Sequence, residues 1–113
     1  MSMDFTIVGS NDAVERLRTS FSDLWNDLLE QADPDHPYLL YFAFAELLLG
    51  RRGSTELWQR AYRFFDEVAE GGSAEAKNIL TEAFDRLSDS EMRTEVEKNL
   101  GSAARHLFRL SKL

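Results

Sequence analysis

The sequence predicts an all-α single domain, a bundle of about five helices around a central apolar helix at 38–49. Three observations carry this. Apolar residues recur at three- and four-residue steps through most of the chain. Only two Pro and six Gly punctuate it, which favours long helices over many strands and turns. Eight Phe, three Tyr and two Trp supply enough apolar surface for a core within 113 residues, a length that suits one domain.

The first helix is expected to start after Ser10, whose hydroxyl suits the free amides of a helix start. Val14, Leu17, Phe21, Leu24 and Leu28 form its inner stripe, with Trp25 beside them. It should end near Gln31, because the prolines of Asp33-Pro-Asp-His-Pro37 bias their preceding residues out of helix. Residues 1–9, with Phe5, Ile7 and Val8, read as an extended arm.

The second helix, 38–49, is apolar nearly all round and should therefore be covered on most sides. It stops at Gly50, with Arg51 and Arg52 at its C-terminus. The third runs from after Ser54 to Glu70 and buries Leu57, Ala61, Phe64, Phe65 and Val68. Gly71-Gly72 breaks the chain, and Ser73 is placed to cap a fourth helix facing inward through Ala76, Ile79, Leu80, Ala83, Phe84 and Leu87. Ser88 and Glu91 match a capping box for the last helix. There Met92, Val96, Leu100, Ala103, Leu107 and Leu110 continue across Gly101, which favours one continuous, bent helix over a broken one.

Composition excludes several function classes. There is no Cys, hence no disulfide, no Cys-ligated zinc and no thiol nucleophile, and a reducing cytoplasm is the expected compartment. The opening MSMDFTIVGS lacks a charged n-region and a long apolar run, so no signal peptide is expected. The apolar 38–49 run is too short for a membrane span, which needs about 20 residues. Net charge is −7, and residues 1–98 hold all twenty acids against ten bases. Such a body repels nucleic acid and anionic lipid and attracts basic partners.

Candidate chemistry is thin. The Asp33–His36 stretch lacks the donor count and turn glycine of a calcium loop, and it reads as a turn. His106 near a helix end suits a solvated or dipole-complementing role. No Ser lies in a nucleophile elbow, and Gly71-Gly72-Ser73 lacks the lysine and preceding strand of a phosphate loop. Neither a cofactor, a metal nor a catalytic residue is expected. Glu46, the only ionisable group in the apolar helix, reads as a carboxylate paired with Arg51 or Arg52, or on a narrow solvent-facing strip. The sharper alternative is a perturbed carboxylate in a catalytic pocket.

Acidic faces carry the binding expectation. Asp23, Asp27 and Glu30 are spaced to stack on one side of the first helix, and Asp33 and Asp35 extend the charge into the loop. Asp66 and Glu70 project from the third helix, where Trp58 and Tyr62 supply candidate aromatic anchors. These nine residues form the expected partner-binding set.

The segments PYLLYFAFAELLLG, RFFDEVAEGG and AEAKNILTEAFDRL, over residues 37–87, resemble a family of small all-helical bacterial proteins of unassigned function, similar to immunity proteins of toxin systems. The elements carrying the resemblance are Phe64-Phe65-Asp66-Glu67, Asn78-Ile79-Leu80 and Phe84-Asp85-Arg86-Leu87. It implies a non-enzymatic domain that neutralises a cognate toxin, and it brings no catalytic residues. Asn78, off the Ile79/Ala83 face, is a candidate for bonding to a neighbouring helix or a partner. The alternative is a helical adaptor or self-associating assembly subunit.

Overall fold

The computed structural model describes residues 8–111, with side chains from Asp12 onward. These form seven α-helices and one 3-10 turn: α1 (Val8–Ser20), the turn Ser22–Leu24, α2 (Trp25–Leu29), α3 (Pro37–Leu49), α4 (Thr55–Gly71), α5 (Ala74–Ser88), α6 (Arg93–Asn99) and α7 (Ser102–Leu110). The all-helical expectation holds. The count differs because the first and last expected helices are each broken.

The first break falls at Phe21. Ser20, Ser22 and Asp23 favour turns over helix interiors, because their side chains compete for backbone groups. Phe21 leaves helical geometry at φ −131°, ψ 49°, and its ring is fully buried against Phe44 at 4.7 Å and Phe64 at 5.4 Å. Arg60 of α4 donates to the Ser20 carbonyl at 2.9 Å and lies over the Phe21 ring at 4.9 Å. At the N-terminal end α1 already begins at Val8, so Ser10 lies inside the helix rather than capping it. Residues 1–7 of the expected arm lie outside the described residues.

The second break separates α6 from α7. Leu100 and Gly101 are extended, with ψ of 149° and 179°, so the continuous helix expected across Gly101 does not form. The expected capping box is also absent. Ser88 is the last residue of α5 and donates to the Asp85 carbonyl. It is Ser90 Oγ that accepts from the Met92 amide, at 3.1 Å. The caps at Ser54 and Ser73 are present, accepting from Leu57 N at 3.4 Å and Ala76 N at 3.0 Å.

A row of phenylalanines runs through the core. Phe21 meets Phe44, Phe44 meets Phe65 at 6.0 Å, Phe65 meets Phe84 at 5.2 Å, and Phe84 meets Phe108 at 5.3 Å, most of them edge to face. This ties α3, α4, α5 and α7 into one core. The helix on which the others converge is α5, touched by α1, α3, α4, α6 and α7. α3 packs chiefly on α5 and α2 and keeps one side open. Tyr38, Leu39 and Phe42 are 40%, 59% and 39% exposed, so this apolar helix is covered on most sides but not on all. Among the described residues no helix is long and apolar enough to cross a membrane.

Candidate functional site

The open side of α3 is the candidate site. At 100° per residue, Tyr38, Leu39, Phe42 and Glu46 fall within an arc of about 100° and form a row along the helix. Pro37 at the first helical position and the turn before it fix where the row begins. In that turn the Asp33 carboxylate accepts from the Asp35 amide at 2.8 Å, and His36 N donates to the Asp33 carbonyl at 2.9 Å.

Acids border the row on both sides. On the α5 side, Tyr38 OH donates to Glu75 Oε2 at 3.4 Å. Partial burial and then the nearby Glu75 and Glu82 charges push the Tyr38 hydroxyl above its ordinary pKa. Farther along, Phe42 shares an open groove with Asp85, Arg86, Asp89 and Arg93. On the α2 side, Asp27, Glu30 and Gln31 line a second groove with Glu46, Leu47 and Arg51. Arg86 crosses from α5 to Glu46 with a 2.6 Å hydrogen bond, and Arg51 reaches Asp27 at 3.2 Å. Two of the arginines bordering this surface are therefore already committed to carboxylates. Glu30, Glu82, Asp85 and Asp89 have no basic partner among the described residues.

The nine expected binding residues part company. Asp27 and Glu30 meet at the site. Asp33 and Asp35 are exposed in the turn leading into α3. Asp23 belongs to the 3-10 turn and is held by Arg60 in two hydrogen bonds of 2.9 and 3.1 Å, which draw its carboxyl below the ordinary 3.8. The passage from the 3-10 turn into α2 at Leu24 is what divides the expected stack of acids. Trp58 is 4% exposed and donates from Nε1 to the Arg51 carbonyl at 3.1 Å. It is a core residue that closes the α3–α4 connection, and the exposed-anchor expectation does not hold for it. Tyr62 meets Trp58 in a tilted ring contact with centroids 5.8 Å apart. Burial and then the Glu95 charge push its hydroxyl up, while Asn99 hydrogen bonding lowers it. Asp66 faces inward to the α6–α7 break, where its carboxylate accepts from Gly101 N at 2.8 Å. Glu70 is exposed on α4. Asn78 is exposed on α5, and its backbone carbonyl accepts from Thr81.

Glu46 is nearly half exposed and paired with Arg86, rather than with Arg51 or Arg52, and it sits on an open surface. Among the described residues no group of three or more His, Asp or Glu is placed to hold a metal ion. Tyr38, Leu39, Phe42 and the α5 acids are the members that sequence reasoning missed. Their signal was Glu46: the residues four and seven before it, Phe42 and Leu39, share its face. Compared with protein-family models, curated proteins and solved structures, the chain matches none.

Proposed function

We propose that this chain is a non-enzymatic protein-binding domain that docks a basic partner on the open side of α3, and that it acts as an immunity protein neutralising a basic bacterial toxin domain. The observation that carries the reading is the Tyr38, Leu39 and Phe42 row, open to solvent between two acidic margins. Isolated exposed apolar residues are ordinary, whereas aligned ones with a polar rim are the usual anatomy of an interface. Unpaired acids at the margins speed encounter with a basic surface, and the apolar row supplies the attraction that survives salt. Covering the substrate groove of a toxin that acts on nucleic acid needs no chemistry from the inhibitor. The resemblance over residues 37–87 adds to this reading.

The test is affinity capture from the native cells with wild-type protein and with Leu39→Asp as baits, at low and moderate salt. One basic protein should be recovered, weakened by salt and lost with Leu39→Asp, and purified protein should inhibit its activity. Recovery that is equal with both baits would place binding elsewhere. The adaptor alternative predicts instead that the chain recovers itself, with a size that grows with concentration.

A further inference from the structure

Resting on that reading, we infer that the part of the partner seated on α3 is an amphipathic α-helix with lysine or arginine along both edges of its apolar face. The shape of the site argues for a helix. Tyr38, Leu39 and Phe42 stand out from α3, and toward the C-terminal half of the helix an open groove lies on each side, one beside Phe42 and one between α2 and Glu46. Helices pack by setting the side-chain ridge of one into the groove of the other. A peptide bound by strand addition needs a free sheet edge to pair with, and the described residues contain no strand.

The length also fits. From residue 38 to residue 46 the row spans eight helical steps, about 12 Å, which matches two turns of a partner helix. Anchors on that helix at three- and four-residue spacing would meet Tyr38, Leu39 and Phe42.

The charge argues for basic edges. On the α5 side Glu82, Asp85 and Asp89 outnumber Arg93, the one base there without a carboxylate partner among the described residues. On the α2 side Glu30 borders the row with no basic partner among the described residues. A helix presenting cations only at one end would leave one margin unmatched. A second copy of this chain is disfavoured on the same grounds, because pairing two open faces sets acidic margins against acidic margins.

The test uses a fluorescently labelled synthetic peptide of leucine and lysine, about four turns long and patterned to be amphipathic as a helix. The same peptide with glutamate for lysine and a third with serine for leucine are the controls. Binding to wild-type protein, Leu39→Ser and Phe42→Ser is followed by anisotropy, with circular dichroism showing that each variant is folded. The leucine–lysine peptide should saturate on wild type and bind roughly tenfold or more weakly to each variant. It should also weaken as salt rises, and both control peptides should bind far less. Equal binding to wild type and variants would overturn the proposal. So would equal binding of the glutamate peptide, a dissociation constant above about 1 mM, or a wild-type dimer abolished by Leu39→Ser. A basic partner captured through Leu39 alongside a peptide that fails to bind would remove the helix and leave the parent reading standing. Leu39-dependent peptide binding with no basic partner captured would support the docking chemistry and remove the toxin.

Discussion

Substituting Gly101 and Asp66 singly and together tests what holds α6 and α7 apart. Apolar residues repeat at helical steps from Met92 to Leu110, so the break at Leu100 and Gly101 must be imposed by contacts from elsewhere. Asp66 supplies one, accepting from Gly101 N at 2.8 Å. Arg105 supplies the other, donating to the carbonyls of Glu97 at 3.1 Å and Leu100 at 2.8 Å. Asp66→Ala strands a part-buried amide that had a charged acceptor, at a cost of about 1.5–3 kcal/mol. At Gly101 the backbone, φ −73° and ψ 179°, suits any residue, so Gly101→Ala should gain about 0.4–1 kcal/mol from the unfolded chain. Its Cβ, however, would lie 3.1 Å from Asp66 Oδ1 and 3.2 Å from Cγ. The carboxylate must withdraw and weaken the bond, so the single variant should be less stable than wild type by about 1 kcal/mol. With Asp66→Ala already present the obstruction is gone, and Gly101→Ala should stabilise. The coupling is then about 1–2 kcal/mol, readable from urea unfolding of the four proteins at a common m-value. If Gly101→Ala raised stability equally in both backgrounds, Asp66 would not be the element holding the break.

Tyr41→Phe should cost about 1–2 kcal/mol, because the buried hydroxyl donates to the Ala13 carbonyl at 2.7 Å. Burial also raises the folded Tyr41 pKa above its ordinary 10, ahead of the smaller Asp12 effect. The unfolded chain therefore loses this proton first, and wild-type stability should fall as pH rises past about 10. Chemical unfolding should show a shallower alkaline decline in Tyr41→Phe. Asp23→Asn tests the opposite limb. Arg60 lowers the folded Asp23 pKa, so its stabilisation is present above the unfolded value of 3.8 and is lost as pH falls through the lower folded value. Since the Asp23 side chain is 57% exposed, melting should show a difference below about 1 kcal/mol at neutral pH, closing in acid. Ser73→Ala should cost about 1 kcal/mol by removing a helix cap, while Ser88→Ala should be nearly silent in the same denaturation assay, because Ser88 caps no helix start.

Helical periodicity located most of the elements because each inner stripe is a local pattern. Leu57, Ala61, Phe64, Phe65 and Val68 are all buried on α4, and Ile79, Leu80, Ala83, Phe84 and Leu87 on α5. What periodicity missed were the breaks, which depend on residues distant in sequence. Arg60 satisfies the Ser20 carbonyl from 40 positions away, and Asp66 satisfies Gly101 from 35. The candidate site was hidden for a related reason. A helix that is apolar nearly all round gives little amphipathic direction, and Glu46, through the residues four and seven before it, is the one pointer to its open side. The nine-residue binding set treated the acids as one population, whereas tertiary contacts sort them. Asp23 and Asp66 turn to internal partners, while Glu30 and Asp35 have no side-chain partner among the described residues.

That sorting determines what an approaching molecule meets. Arg16, Arg18, Arg51, Arg52, Arg60, Arg86 and Arg109 each pair with a carboxylate, and Arg105 is spent on backbone carbonyls. Pairing cancels charge one for one, and the acids left over outnumber Arg63, Lys77 and Arg93, the bases without a carboxylate partner among the described residues, so the outward field is negative. Along α3 that excess borders an apolar row in which Leu39, 59% exposed, adds little to the core. Substituting so exposed a residue ordinarily changes stability by less than about 0.5 kcal/mol, so folding alone has little use for a leucine there. Glu46, on the same helix face, shows that a polar side chain fits the position type and finds a partner in Arg86. Leu39 and the unpaired acids beside it are thus separable from the residues that hold the fold, as the proposed docking surface requires.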